Sequence, residues 1–205
     1  MICRCNWCVK DPMYINYHDN EWGKLMKEDK KLFEFLTLES AQAGLSWFTI
    51  LKKREGYRKA FFNFDFEKVA EMTIEDELRL KNFDGIVKNS QKIHAIIGNA
   101  RLFKEIIKEY GSFYNYITLF FPNDIPLIND IPDISAIPVT SPIAISLSKD
   151  MKKRGFKFFG PTICYSFLQA TGFIDDHINN CDFKTSIHKI NQSRELSGSI
   201  GNRIT

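Results

Sequence analysis

Five of the seven prolines in this 205-residue chain lie between positions 122 and 142, and on both sides of this stretch the sequence has helical patterns. Proline lacks a backbone donor and blocks the interior of a helix, so the stretch is predicted to be an irregular connection. Elsewhere apolar residues recur at helical spacing, and the alternation typical of strands is scarce. The sequence therefore predicts an all-α fold, as one domain or as two helical lobes about a cleft.

The clearest predicted helix covers residues 28–44, where Leu32, Phe33 and Leu36 share one face and Gly44 is placed as a stop. The other predicted helices cover residues 47–59, 66–72, 73–81, 86–110, 113–120 and 141–154, with a last one starting at Pro161. Residues 182–205 are polar and predict a C-terminal tail. One folded domain over residues 1–181 is therefore expected.

Composition bounds the class of protein and its compartment. The chain is 44% apolar and 26% charged, which is typical of a globular protein with a substantial core. Its first residues lack the apolar segment of a signal peptide, and no apolar run approaches the roughly 18 residues that cross a bilayer. We expect a cytoplasmic protein without a membrane partner. In that compartment the five cysteines are better interpreted as reduced thiols or metal ligands than as disulfides.

The charge pattern leaves nucleic-acid binding open. A net charge of +3 gives it little support, but basic residues form two clusters. The clusters are Lys52, Lys53, Arg54, Arg58 and Lys59, and Lys149, Lys152, Lys153, Arg154 and Lys157. Clusters of this kind usually belong to a solvated helix face and otherwise bind phosphate. Charge alone does not choose between the two.

The segment GFKFFG, residues 155–160, separates two predicted helices. Gly155 and Gly160 allow a tight hairpin with positive φ at its ends, and Pro161 suits the first turn of the next helix. The hairpin is either an ordinary turn between core helices or a site that presents backbone amides to a nucleic-acid phosphate.

Histidines and cysteines at both ends of the chain suggest a metal site. His177 and Cys181 are four positions apart, which predicts that they share one face of a helical turn, and Cys5 and His18 stand near the other end. Two sulfur and two nitrogen ligands suit a closed, structural zinc site that would join the termini. The alternative is a chance pair, which this spacing often is. Cys3 and Cys8 also leave the choice of N-terminal thiol open.

Five blocks of sequence, taken in order, carry a family resemblance. They are CNW, DPMYINYHDNEWG, LTLESAQAGLSWFTILKKREGYRKAF, KIHAIIGNAR and LSKDMKKRGFKFFGPTICYSFLQATGFIDDHINNC. Together they resemble the DNA-3-methyladenine glycosylase I family of bacterial alkylation-repair enzymes, over residues 5–181. The resemblance implies the helix-hairpin-helix DNA glycosylase fold and a monomer that acts on alkylated double-stranded DNA in the bacterial cytosol.

The resemblance also implies roles for particular residues. It assigns one structural zinc ion to Cys5, His18, His177 and Cys181, with Cys5 favoured because it keeps the family's spacing to Trp7. It implies that hairpin 155–160, with Gly155, Gly160 and Lys153, anchors DNA and that Leu45 enters the gap left by a displaced nucleotide. Trp7, Tyr14, Tyr17 and Trp47 would form the pocket for the flipped base, with Glu39 as the pocket carboxylate.

The implied reaction is release of 3-methyladenine by hydrolysis of its N-glycosidic bond. Pro161 and Thr162 stand where strand-cleaving relatives carry an amine, so an abasic site in an intact strand is the expected product. Asp175 and Asp176 are predicted to support the turn or the metal ligands rather than the reaction. Two alternatives stay open: a zinc-containing DNA-binding module without turnover, and a glycosylase with a wider range that includes 3-methylguanine.

Overall fold

The computed structural model describes residues 2–124 and 126–185, and it is predominantly helical. Its longer elements in chain order are α1 (Pro12–Asn20), α2 (Asp29–Gln42), α3 (Trp47–Ala60), α4 (Phe66–Ala70), α5 (Ile74–Lys81), α6 (Ser90–Tyr110), α7 (Phe113–Thr118), β1 (Leu127–Ile128), α8 (Pro142–Arg154), α9 (Pro161–Ala170) and β2 (Ile174–Asp175). The predicted all-helical class is confirmed apart from the two short strands, which pair in parallel.

Eight predicted helices are present, most with ends displaced by a few residues, and polar caps explain several of the true starts. The Thr73 and Asp76 side chains form a capping box at α5, and the Asn89 side chain accepts from the Lys92 amide at α6. Asn89 therefore starts α6 four residues later than the apolar pattern suggests, because its side chain satisfies an amide that the helix leaves unpaired.

Helix α1 was missed by the sequence prediction. Its residues, PMYINYHDN, have no strong apolar periodicity and include several poor helix formers. The Asp11 carboxylate accepts a hydrogen bond from the Met13 amide at 2.8 Å, and Pro12 occupies the first turn. An Asp-Pro start is a recognised helix signal, so the sequence did contain the information.

The proline-rich connection is irregular, as predicted, but it is held to the C-terminal segment. Strand β1 lies beside β2, the Ile131 amide donates to the Asn179 side chain, and the Asn179 amide donates to the Ile131 carbonyl. Ile134 and Ile137 of the connection line the cavity described below. The connection thus places apolar side chains at the functional site.

Helix α2 is the centre of the core. Every residue from Leu32 to Ala41 is buried, and the helix packs against α3, α6 and α9. A helix covered on all sides normally carries apolar residues throughout, yet this one buries Glu34 and Glu39. How each carboxyl is accommodated distinguishes a structural residue from a candidate functional one.

No helix of the described residues is long and apolar enough to cross a membrane. Most of the predicted tail, residues 186–205, lies outside the described residues. Its first part is bonded to the fold, since the Asp182 amide donates to the Cys3 carbonyl and the Thr185 amide donates to Asp175 Oδ2.

Candidate active site

A cavity of about 330 Å³ opens between α1, α2, α3, α9 and the proline-rich connection. It is lined by Trp7, Tyr14, Tyr17, Trp22, Glu39, Gln42, Trp47, Ile134, Ile137, Ser166 and Gln169. We call it the aromatic cavity. All five residues predicted for the base pocket lie on it, and six lining residues were not predicted. Gln42 had a usable signal, because it follows Glu39 by one helical turn.

The walls of the aromatic cavity are rings in mutual contact. The ring centroids of Trp7 and Tyr14 are 4.9 Å apart, and those of Tyr17 and Trp47 are 5.4 Å apart. Tyr14 and Tyr17 are three residues apart on α1, so they project from the same side of the helix. The missed helix is therefore the element that sets the spacing of these two rings.

Glu34 and Glu39 share α2 but differ in their partners. Glu34 Oε1 accepts hydrogen bonds from Arg54 and Arg58, each at 2.8 Å. Burial acts against the Glu34 charge, but its ion pairs outweigh burial and lower the pKa of Glu34. Glu34 is thus a paired structural carboxylate.

Glu39 has no such support. It is 2% exposed, and its Oε2 atom is buried without a hydrogen-bond partner among the described residues. Burial raises the pKa of Glu39 well above its ordinary value. Gln42 Oε1 and Trp47 Nε1 are likewise buried and unpartnered within that part of the chain. Unsatisfied buried polar atoms are costly, so three of them lining one cavity indicate a site built to bind a polar ligand.

The raised pKa of Glu39 predicts a dependence of stability on pH. Between the ordinary carboxyl pKa of 4.5 and the raised value, the folded state holds a proton that the unfolded state has released, so wild-type stability falls as pH rises. Glu39→Gln removes this loss. We expect the unliganded variant to melt close to wild type near pH 4.5 and above it at pH 8, by about 2–4 °C for each kcal/mol recovered. Calorimetry across this range checks the prediction, and a difference in Tm that does not change with pH would contradict it.

Asp175 and Asp176 are committed to structural contacts. Asp176 accepts from Tyr165 and Gln169, each at 2.6 Å, and from Asn129 at 2.7 Å. Asp175 Oδ1 accepts from the His177 amide and lies 2.8 Å from His177 Nδ1. These bonds agree with the supporting role expected for both, and Asp176 in addition orients Gln169 on the cavity wall.

A second buried group lies beside the cavity. The ligand atoms of Cys5, His18 and Cys181 all lie within 4.8 Å of one another. The ring of His177 is 5.0 Å from that of His18, and its Nε2 atom is buried without a partner among the described residues. We call these four residues the Cys/His cluster. Because the structure brings three ligand atoms together and leaves His177 Nε2 unpartnered nearby, the residues fit a metal ion.

Carboxylates orient both imidazoles. His18 Nδ1 lies 2.8 Å from Asp19 Oδ1, and His177 Nδ1 lies 2.8 Å from Asp175 Oδ1. This pairing directs each Nε2 atom inward, as carboxylate partners of metal-bound histidines do. Burial raises the pKa of the Cys5 thiol to about 12, so a cation would be needed to hold it as thiolate at neutral pH.

The predicted helical turn at HINNC is wrong. His177 and Cys181 lie on an irregular segment in which the Cys181 amide donates to the Ile178 carbonyl. Hydrogen bonds between this segment and the proline-rich connection hold the segment in an irregular conformation, so it does not form a helix. Cys3 and Cys8 stay outside the three-ligand group, and Cys8 donates its thiol to the Cys5 carbonyl at 3.1 Å.

Trp22 connects the Cys/His cluster to the aromatic cavity. Its ring lies 4.4 Å from His177 and 5.0 Å from Trp7. The next residue, Gly23, has φ +74°, and a Cβ atom there would lie 2.5 Å from His177 Cε1. Trp22 therefore forms a wall between the cluster and the cavity. The close packing of His177 beside this wall requires glycine at position 23.

The segment from α8 to α9 is a helix, a six-residue hairpin and a helix. Gly155 ends α8 with φ +109°, but Gly160 has φ −73°, so the expectation of open φ at both ends is wrong for Gly160. Phe158 has φ +55° instead. The turn tolerates this residue because Phe156 and Phe159 on either side are buried and anchor the hairpin.

Of the residues predicted to contact DNA, Lys153, Leu45 and Gly160 are exposed and Gly155 is partly buried. Lys153 lies in the last turn of α8 and Leu45 in the loop after α2, where it is 41% exposed. Helix α9 begins at the hairpin and carries Ser166 and Gln169 on the aromatic cavity. Pro161 and Ser166 are separated by about 7.5 Å along the helix axis, which places the hairpin close to the cavity.

The fold and site define a class: a predominantly helical protein with a cavity that is walled by aromatic rings and lined by unpartnered buried polar atoms. Comparison with known proteins gives the family. A family model described as methyladenine glycosylase matches residues 7–185. The DNA-3-methyladenine glycosylase 1 of Escherichia coli is 49% identical over 178 residues, which cover 87% of this chain and 95% of that protein.

Two further similarities agree. The DNA-3-methyladenine glycosylase of Haemophilus influenzae is 45% identical over 186 residues, covering 91% of this chain and 100% of that protein. A crystal structure of a tyrosine-to-phenylalanine variant of 3-methyladenine DNA glycosylase I, in complex with 3-methyladenine, has a TM-score of 0.86 at 42% identity and covers 89% of this chain and 98% of its own. The chain belongs to the methyladenine glycosylase family, which confirms the resemblance found in the sequence.

Proposed function

We propose that this protein releases 3-methyladenine from alkylated DNA by hydrolysing the N-glycosidic bond, leaving an abasic site in an intact strand. The observation that carries the proposal is the unpartnered, buried carboxyl of Glu39 on a cavity walled by Trp7, Tyr14, Tyr17 and Trp47. The names of its relatives support the same activity. Incubation with methylated duplex DNA tests the proposal, and free 3-methyladenine is the expected product.

The aromatic cavity suits a flipped cationic base. In DNA, adenine methylated at N3 carries a positive charge, and an electron-rich ring face attracts such a cation by about 0.5–2 kcal/mol beyond stacking. The cation also gives Glu39 the positively charged partner that it lacks in the free protein. Binding of the base would therefore ionise the carboxyl, which could then accept a hydrogen bond from the exocyclic amine. Unmodified adenine brings neither gain. Selection for the damaged base would therefore rest on charge as well as shape.

Hydrolysis needs little acid catalysis. When the bond from the sugar to the base breaks, its electron pair neutralises the methylated ring, which departs as uncharged 3-methyladenine. The sugar develops oxocarbenium character, water forms the new bond to it, and the water proton passes to solvent. In this scheme Glu39 recognises the base and offsets its charge while the aromatic walls hold it out of the stack. Water is the nucleophile.

We further propose that the segment α8 to α9 is a helix-hairpin-helix DNA anchor. Gly160 is exposed at the N-terminus of α9, and the basic end of α8 precedes the hairpin. Backbone amides at such a terminus suit a phosphate. The anchor would hold duplex DNA, with the protein acting as a monomer in the bacterial cytosol, while the target nucleotide turns into the aromatic cavity.

Lys153→Ala is expected to weaken DNA binding equally on all sequences and to reduce the salt slope of log K by about 1, because one phosphate contact is lost. Fluorescence anisotropy at several salt concentrations measures both effects. Lys30→Ala is the matched control, since Lys30 is exposed in the first turn of α2, at the end of that helix remote from Leu45. A Lys153→Ala protein with the wild-type slope would make Lys153 a solvated surface charge.

Leu45→Ala is expected to reduce base release from duplex DNA about tenfold, because an alanine fills the space of the displaced nucleotide poorly. Single-turnover assays with methylated duplex measure this. Leu78→Ala, which truncates another exposed leucine on α5, is the control. If Leu45→Ala binds DNA and releases base as wild type does, Leu45 is not the wedge.

For the Cys/His cluster we propose one zinc ion per chain, held by Cys5, His18, His177 and Cys181. Two thiolates and two imidazoles would form a closed tetrahedral set, which is the pattern of structural zinc sites. The ion would supply charge neutralisation and a covalent link between chain ends, and no reaction step involves it. Trp22 would transmit the rigidity of this link to the cavity wall.

A further inference from the structure

Lys92 in α6 is a buried lysine that bonds to the end of another helix. Its side chain is almost fully covered, and its ammonium donates to the Ala41 carbonyl at 2.9 Å and to the Ala43 carbonyl at 2.6 Å. These carbonyls belong to the last turn and the cap of α2. Burial lowers the pKa of Lys92, because removing the charged ammonium from water costs free energy.

The ammonium replaces an ordinary helix cap. The last carbonyls of a helix lack partners within the helix and carry its partial negative charge, and a cation at that end satisfies both. At α2 the chain leaves the helix through Ala43, at φ −43° and ψ 114°, and then turns through Gly44, at φ +78°. Lys92 holds the first carbonyl beyond the helix and thereby fixes the direction in which the chain departs.

The segment that departs is the loop of residues 43–46, between α2 and α3. Ser46 holds its far end by accepting from the Thr49 amide, and the Leu45 amide donates to the Gln42 carbonyl. Gly44 and Leu45 are exposed at its tip. The last turn of α2 before the loop carries Gln42, with Glu39 one turn earlier, both on the aromatic cavity. One ammonium thus fixes the junction between an exposed loop and the base pocket.

We infer that Lys92 is a positioning residue for base release, which holds loop 43–46 in the shape that enters DNA. Glu39 and Gln42 are placed on the cavity by α2 itself. The inference rests on the proposed function, because it assigns the loop to the displaced-nucleotide gap. Lys92 acts through the backbone of α2 and touches no reacting atom.

Three variants test this role. Lys92→Met keeps the length and apolar stem but removes the donors, Lys92→Arg keeps charge and donors, and Lys108→Met makes the same change at an exposed position on α6. The assays are single-turnover release of 3-methyladenine from duplex, affinity for a duplex with a tetrahydrofuran abasic analogue relative to the intact duplex, and affinity for free 3-methyladenine. All are run well below the Tm of each variant.

For Lys92→Met we expect release to fall about 10- to 100-fold, since small displacements of a positioned element have effects of that size. Preference for the abasic duplex should fall with release, while affinity for the free base stays within about twofold of wild type. This pattern would show that the loop is displaced and the base pocket is intact. Lys92→Arg should recover most of the release, and Lys108→Met should match wild type.

Two results would overturn the inference: wild-type release and abasic preference in Lys92→Met, or equal losses of free-base affinity and release, which would indicate a general structural role. If Lys92→Met does not fold, Lys92→Gln, which has a shorter and uncharged donor, is compared with Lys92→Arg. A wild-type protein that releases no base contradicts the proposed function, whereas abasic preference still tests Lys92 separately.

Discussion

Replacing Glu39 with Gln is expected to lower kcat/KM for 3-methyladenine release by about 30-fold or more. Removing one member of a buried charge pair costs about 2 kcal/mol or more, and here the other member is the cationic base. Chromatography of released bases under single-turnover conditions measures the loss. Glu105→Gln is the matched control, because Glu105 is an exposed glutamate on α6.

The same variant separates function from folding. Since Glu39 is buried without a partner among the described residues, the variant should be less active and, near pH 8, more stable. Few causes produce both changes, because most buried substitutions lower stability. Unchanged release by Glu39→Gln would remove Glu39 from the site, whatever its effect on Tm.

Cys181→Ser is expected to abolish zinc binding and to destabilise the protein by about 4 kcal/mol or more, which corresponds to a fall in Tm of about 8–16 °C. One ligand of a closed site is lost, and with it the link between the chain ends. Metal content by inductively coupled plasma mass spectrometry and Tm by calorimetry measure the two effects. Cys3→Ser is the control, because Cys3 lies outside the three-ligand group.

Metal loss should also be visible in tryptophan fluorescence, since Trp22 lies 4.4 Å from His177. A chelator is expected to change the emission of wild type and to leave that of Cys181→Ser unaltered. Full zinc content in purified Cys181→Ser would contradict the assignment of the cluster as a joint between the ends of the chain.

Helix positions were predictable because they depend on local patterns. The apolar periodicity of α2 and the capping residues of α5 and α8 lie within a few residues of the elements they define. Helix α1 was not predicted because its residues line the cavity and the Cys/His cluster, and they do not form one continuous apolar face. Its N-terminal cap and proline were the signal that should have outweighed composition.

The candidate site was predictable only in part. The resemblance named Glu39 and the aromatic rings, which lie on one cavity. It gave no sign that Glu34, five residues earlier on the same helix, is neutralised by Arg54 and Arg58. The difference arises because α3 supplies those partners from 20 and 24 positions away. Lys92 and its carbonyl partners are likewise about 50 residues apart, a pairing that no local pattern contains.

Two mispredictions share a physical cause. The spacing of His177 and Cys181 suits a helix, and the glycines at both ends of the hairpin suit positive φ at each end. Long-range hydrogen bonds instead determine the backbone conformation of both segments. The Asn179 amide donates to the Ile131 carbonyl, and the Asn99 side chain bonds both backbone groups of Lys157 in the hairpin. Tertiary contacts satisfy the backbone there, so local propensity does not set the conformation.

We propose that the aromatic cavity selects a cationic methylated adenine for hydrolytic release. The most direct measurement is chromatography of the free bases released when the purified protein, shown to be folded and zinc-loaded, is incubated with methylated duplex DNA. We expect release of 3-methyladenine, with 7-methylguanine left in the DNA. No release would contradict the proposed function and would favour a DNA-binding module that has kept the fold without the reaction.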